Sequence, residues 1–233
     1  MGTKNSKAKE LSKFLKYYTC DKLILNGDII DGWRLQNSGK WEKQHTNLLK
    51  LLIKIIDKQK TQVIYVRGNH DDFLDKILPY TFKRFSILRE YYHHSNNKKY
   101  LVIHGDIFDH ITTNMRWLAK LGDLGYIFLL WLNKIYNKRR LKQGKSYYSI
   151  SKAIKHKVKK AVSHISGFED AITKLALSRN CEGVICGHIH QPAIIQGERV
   201  LYLNSGDWVE SLSALVENYN GKWDILYFNE LNI

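Results

Sequence analysis

The chain has 233 residues, of which 44% are apolar and 12% aromatic, with only two prolines. That length suits one large domain, the composition excludes a disordered or collagen-like chain, and no Gly/Ser-rich or Pro-rich stretch marks a linker. The 37 basic residues against 22 acidic ones give +15, a balance that suits nucleic acid, an anionic membrane face or a phosphorylated substrate.

Taken in chain order, the first expected element is a helix over residues 6–17, followed by a strand in KLILNGD (22–28). Leucines and isoleucines at three- and four-residue spacing predict a second helix over 45–60, and TQVIYVRGNHD (61–71) reads as a second strand. KYLVIHGD (99–106) is the third strand. From 110 to 162 the pattern is helical almost throughout, which predicts a helical insertion capping the site within a single domain spanning 1–233. Inside it, LGYIFLLWL (124–132) is too short to cross a bilayer, which takes about 20 residues, and reads as a core or lid helix. The dense basic run over 134–160 leaves contact with a membrane surface open. A further helix is expected over 168–180 and a fourth strand in GVICGHIH (183–190). From Ala193 onward the short alternating runs read as an antiparallel meander, with a hairpin turn at Asn220-Gly221.

Cys20, Cys181 and Cys186 are an odd count at spacings that fit neither a disulfide framework nor a zinc knuckle. MGTKNSKAKE at the start has no apolar signal region, and a cytoplasmic location is expected.

Near-continuous Val/Ile/Leu runs alternating with helices suit an α/β fold, in which ligands gather at the carboxyl ends of the strands. Each of the four strands ends in a polar cluster. These are Asn26-Gly27-Asp28 with Asp31, Gly68-Asn69-His70-Asp71, His104-Gly105-Asp106, and Gly187-His188-Ile189-His190. Taken singly, a Gly-Asp after a strand is ordinarily a turn, and His-x-His can be plain packing because alternate strand residues share a side. Four clusters at four strand ends point instead to one shared site. Asp, Asn and His together form a mixed oxygen and nitrogen donor set, suited to Mn, Zn or Fe rather than to a soft metal or calcium.

The order of these motifs resembles the calcineurin-like metallophosphoesterase family, whose pattern runs D-x-H, GD-x-x-D, GNHD, H-G-D and GH-x-H. The resemblance extends over essentially the whole chain. It implies a four-layer α/β/β/α sandwich with a helical lid insertion, and two divalent metal ions, with manganese the expected metal. Carried over residue by residue, it makes Asp28 the ligand shared by both ions. Asn69, His104 and His188 would complete one ion and His190 would serve the other. His70 would protonate or stabilise the leaving oxygen, while Asp31 and Asp71 would orient ligands. Water activated between the cations would attack phosphorus in line.

GDIIDGW, the tract over 116–123, CGHIHQP and GDWVES (206–211) further resemble the bacterial UDP-2,3-diacylglucosamine diphosphatase branch. That resemblance implies an anionic lipid-linked nucleotide as substrate, cut at its pyrophosphate to UMP and an acyl-sugar phosphate at the inner face of the inner membrane. Asn114 and Arg116 are then candidate substrate contacts. No RNA-recognition signature accompanies the charge, so a specific nucleic-acid partner is not expected. The alternatives are another phosphate-bearing substrate (a phosphoprotein, cyclic nucleotide or nucleic acid) and an inactive, truncated homologue.

The family's opening D-x-H ends an N-terminal strand, and here Met1-Gly2-Thr3 stands where that strand would finish. The expectation is a start assigned too late or a shortened gene, and a first metal position retaining only Asp28 and His190. Weak activity of the 233-residue polypeptide would follow.

Overall fold

The computed structural model describes residues 1–3, 6–37, 39–108 and 166–231. The expected insertion at 110–162, with Asn114, Arg116 and the basic run, lies outside the described residues.

Four strands form the first sheet: β1 (Lys22–Asn26), β2 (Gln62–Val66), β3 (Tyr80–Phe82) and β4 (Phe85–Leu88). Their order is β1-β2-β4-β3; β1, β2 and β4 run parallel, and β3 pairs antiparallel with β4. The run Val63-Ile64-Tyr65-Val66 is buried throughout because its alternate residues serve two different cores. On one side Val63 and Tyr65, with Leu25 and Ile87, pack in a cluster with helices α1 (Ala8–Tyr17) and α3 (Lys43–Lys58). Leu48, Leu52 and Ile55 recur on one face of α3 and are buried in that cluster. Each such side chain contributes about 1.5–3 kcal/mol by leaving water. On the other side Ile64 and Val66 meet Tyr100, Val102, Ile185 and Leu203 of the second sheet.

That second sheet comprises β5 (Glu90–Ser95), β6 (Lys98–Ile103), β7 (Gly183–Cys186), β8 (Ala193–Gln196) and β9 (Leu201–Asn204). Its order is β5-β6-β7-β9-β8, with β6, β7 and β9 parallel and the two edge strands antiparallel. Helix α4 (Ser166–Ser178) precedes β7 and buries Ile172 and Ala176 completely. The α/β fold expected from the alternation of strands and helices is observed, as the mixed sandwich that the family resemblance implies.

The three helices anticipated within the described residues form with small shifts at their ends. Apart from Asn26, which still pairs in β1, the polar clusters lie beyond the strand ends and leave the sheets as turns. Unanticipated were the six-residue α2 (Gly32–Asn37) and the strands β3, β4 and β5, which are short and follow one another without a helical or glycine-marked break. The expected C-terminal meander divides. β8 and β9 join the second sheet, where β9 lies parallel to β7, whereas β10 (Ser213–Glu217) and β11 (Trp223–Tyr227) form a separate antiparallel pair. The Asn220-Gly221 turn is present, but its loop spans 218–222, closed by Asn218 N–H donating to the Lys222 carbonyl at 2.9 Å. Among the described residues, no helix is long and apolar enough to cross a membrane.

Candidate metal centre

The carboxyl ends of β1 and β2 in the first sheet, and of β6 and β7 in the second, deliver the four polar clusters. Asp28, His104 and His188 offer ligand atoms that all lie within 4.8 Å of one another. His104 Nδ1 donates to the Asn26 carbonyl at 3.0 Å. That bond orients the ring so that Nε2 sits 3.2 Å from Asp28 Oδ2 and 3.3 Å from His188 Nδ1. A backbone carbonyl on one imidazole nitrogen is the usual device for presenting the other to a cation.

The backbone reaches this arrangement by accepting strain. Asp28 (φ 55), His188 (φ 58) and His190 (φ 56) all occupy the left-handed region, which costs a non-glycine residue on the order of 1–3 kcal/mol and concentrates at functional sites. Two glycines make room for them. A Cβ on Gly27 would sit 2.0 Å from His104 Nδ1, and one on Gly68 would sit 2.3 Å from Asp28 Oδ1. The His70 N–H donates to Asp28 Oδ1 at 2.9 Å, tying the second loop to the first.

Burial pushes the Asp28 carboxyl up, but the hydrogen bond and charge of His104 outweigh it and hold the group at about 2. For His104, burial pushes the imidazole down, and the hydrogen bond and charge of Asp28 more than reverse this, so its pKa lies above the ordinary value.

The donors present fit a divalent cation. Asn69 is buried, and its Oδ1 has no hydrogen-bond partner among the described residues. An orphaned buried amide oxygen ordinarily costs about 1–3 kcal/mol, and a cation beside it removes that cost. Carboxylate, amide oxygen and imidazole nitrogens together form the mixed set suited to Mn, Zn or Fe.

The other sequence-named residues surround this trio. Asp71 is fully buried and accepts four hydrogen bonds, from Ile29 N–H (3.2 Å), Ile30 N–H (2.8 Å), Gly68 N–H (3.2 Å) and the Tyr65 hydroxyl (2.6 Å). It braces the turns carrying Asp28 and Asn69 and is not one of the three clustered residues. Burial holds its carboxyl above the usual range despite those donors. Asp31 caps α2 by accepting from Arg34 N–H at 3.0 Å, and the same oxygen lies 3.0 Å from His70 Nδ1. The Trp33 ring stacks beside the His70 imidazole, with centroids 4.5 Å apart. His190 is exposed and stands outside the trio, with Nδ1 2.5 Å from Asp207 Oδ2.

Two positioning groups escaped the sequence reading. Asp207 lies in GDWVES and anchors its own turn, its Oδ1 accepting the N–H groups of Val209, Glu210 and Ser211 while Oδ2 holds His190. Burial pushes this carboxyl up, yet the His190 and backbone hydrogen bonds leave it well below the usual range. Arg67, immediately before GNHD, forks onto Asp75 at 2.9 and 3.2 Å and bonds Asp106 of the His-Gly-Asp turn. The only signal for either was a charged residue inside or beside a motif.

Two sheets whose loops converge a carboxylate and two imidazoles, beside a buried amide oxygen without a partner among the described residues, define a metallohydrolase framework. The chain belongs to the calcineurin-like phosphoesterase family, whose model matches residues 4–192. Its activity class is therefore metallophosphoesterase-type hydrolysis, in a family that generally binds divalent metals. No curated protein matches the chain. Among solved structures, a predicted phosphoesterase from Streptococcus pneumoniae TIGR4 is 13% identical with a TM-score of 0.40, covering 95% of this chain and 83% of that one. An archaeal phosphodiesterase is 11% identical at a TM-score of 0.41, with coverage of 95% and 91%. A single mutant of Vps29 from Entamoeba histolytica is 11% identical at 0.41, with coverage of 95% and 89%. Overlaps this slight add nothing to the family assignment.

Proposed function

We propose that the chain hydrolyses the pyrophosphate of a lipid-linked nucleotide of the UDP-2,3-diacylglucosamine type, releasing UMP and the acyl-sugar 1-phosphate. Asp28, Asn69, His104 and His188 would hold one divalent cation, and Asp28 with His190 would contribute to a second, manganese being the expected metal. The observation that carries the metal reading is the convergence of Asp28, His104 and His188 within 4.8 Å. The resemblance of GDIIDGW, CGHIHQP and GDWVES to the diphosphatase branch supports the substrate, as does the +15 charge of the chain.

Cations bound there would neutralise phosphoryl oxygens and acidify a water. The protein's own groups do the rest. Asn26 keeps the proton of His104 on Nδ1, leaving Nε2 as the coordinating atom. Asp31 engages His70 Nδ1, so that Nε2 is the ring atom able to give a proton to the leaving phosphate oxygen. Asp207 plays for His190 the part that Asn26 plays for His104. The acyl chains of such a substrate would bring the reaction to the inner face of the membrane.

Manganese-dependent release of UMP from UDP-2,3-diacylglucosamine, measured beside hydrolysis of bis-p-nitrophenyl phosphate, tests both parts. The lipid-linked nucleotide should be the better substrate, and Asp28→Asn should lower both rates by more than about a hundredfold. Turnover of the small diester alone would remove the substrate assignment and leave the hydrolase class standing.

A further inference from the structure

On the helix-covered side of the first sheet lies an open cavity of about 1010 Å³, lined by none of the three clustered ligands but reaching Ile29 and Ile30 beside Asp28. Its floor is built by Val63, Phe85 and Ile87 and its wall by Leu52, Ile53 and Ile56 of α3. The size is at the upper end of the range for small-molecule sites. Among the described residues Tyr65 is the one hydroxyl along the lining, and Asp71 already engages it. A peptide strand laid here would bring backbone amides that these walls cannot satisfy. The interior therefore suits a hydrocarbon chain.

The lip of the cavity has a different chemistry. Ile53 is 65% exposed and Phe82 59% exposed, so apolar surface continues outward to solvent. Beside it stand Lys60, Lys83 and Arg84, which form no ion pair among the described residues. Among the described residues the one acid in the lining, Asp57, is paired with Lys58 at 3.1 Å. Asp57 also feels the charges of Lys60 and Lys83, and Lys83 lies over the Phe82 ring at 5.4 Å, so the lip keeps more cations than its single acid can balance. An apolar slot with a cationic lip is complementary to a molecule with one anionic head and one apolar tail. The same cations, on a chain of net charge +15, oppose face-to-face pairing of two copies over the groove.

We propose that this groove binds a single long-chain fatty acid, its tail along Val63, Phe85 and α3 and its carboxylate among Lys60, Lys83 and Arg84. The groove shares no clustered ligand with the metal centre, although Ile29, Ile30 and Tyr65 of its inner end also bond Asp71 behind that centre, and the proposal does not depend on the substrate assigned above.

The test is calorimetric titration of myristate, below its micellar concentration, into the full chain. Saturable one-to-one binding is expected. Ile53→Glu, at a solvent-facing position that should not disturb folding, is expected to weaken it by more than about tenfold. The double variant Lys83→Glu/Arg84→Glu and the uncharged analogue tetradecanol should each bind about three- to tenfold more weakly. Asp28→Asn should bind myristate as the parent does. No saturable binding, or equal affinity in Ile53→Glu, overturns the proposal, as does equal affinity for tetradecanol. Loss of binding in Asp28→Asn would place the tail in the metal cleft instead. Association only with anionic phospholipid vesicles, or a ligand-free dimer that Ile53→Glu dissociates in sedimentation, would also overturn it, in favour of a membrane surface or a second copy.

Discussion

Tyr65 gives its hydroxyl hydrogen to Asp71 across 2.6 Å in the interior of the protein, beneath the turn that carries Asp28. Burial and the neighbouring Asp71 charge push the phenol far above its usual pKa, so it acts as a permanent donor. Through Asp71 that bond reaches the N–H groups of Ile29 and Ile30 and, on the other loop, Gly68. Two loops that are distant in sequence are thereby held at one separation.

Tyr65→Phe removes the donor and keeps the ring. Hydrogen bonds to charged groups are worth about 1.5–3 kcal/mol, and the variant should lose stability in that range. Urea unfolding is expected to show a lower midpoint at an unchanged slope. An unchanged midpoint would mean that the hydroxyl does not brace the loops.

His70, the proposed proton donor to the leaving group, has Asp31 on one nitrogen and the Trp33 ring tilted against it. His70→Ala should lower kcat by about 10²–10⁴ with little change in metal affinity. Asp31→Asn should fall between this variant and the parent. A His70→Ala enzyme with the parent's kcat would remove the residue from the chemistry.

Asp207 allows a sharper separation, because its two oxygens have different partners. Asp207→Asn keeps an acceptor for the 207–211 turn but replaces the carboxylate facing His190. Losing such an outer partner typically costs about 10–100-fold in metal affinity. Titration with Mn²⁺ should show a weakened site in Asp207→Asn while thermal stability at neutral pH falls little. Equal Mn²⁺ affinity in the two proteins would leave His190 without a part in metal binding.

The same carboxylate gives a pH prediction for the metal-free protein. Its native pKa lies below the unfolded value of about 3.9, so its contribution to stability is present above that pH and is lost as pH falls through the native value. Between about pH 5 and pH 2 the parent should lose more stability than Asp207→Asn, which has no carboxyl to protonate. Parallel acid-unfolding curves for the two would contradict the depressed pKa.

Much of this is legible in the amino-acid sequence, and the reason is local. Val63–Val66 read as a strand buried on both faces, and the structure gives its alternate residues two different cores. Asp28, His104 and His188, which the structure brings within 4.8 Å of one another, could be named because each follows such a strand beside a glycine, where the backbone has to turn. What stayed hidden depends on tertiary placement. Nothing in the chain says that Asp207 reaches back across 17 residues to His190, or that Arg67 links Asp75 to Asp106. Strands β3 and β4 were missed because the exposed Tyr80, Thr81 and Phe82 give no alternation of buried and polar positions, and β4 follows directly. Asn114 and Arg116 lie outside the described residues.

Phosphoryl hydrolysis at this site requires a divalent cation held by Asp28, His104 and His188. Anomalous diffraction from crystals grown with saturating Mn²⁺ tests this most directly. A peak within bonding distance of Asp28, His104 Nε2 and His188, with the Asn69 amide oxygen turned onto it, is the predicted result. A map with no peak at that position, or with Mn²⁺ bound only elsewhere, would contradict it.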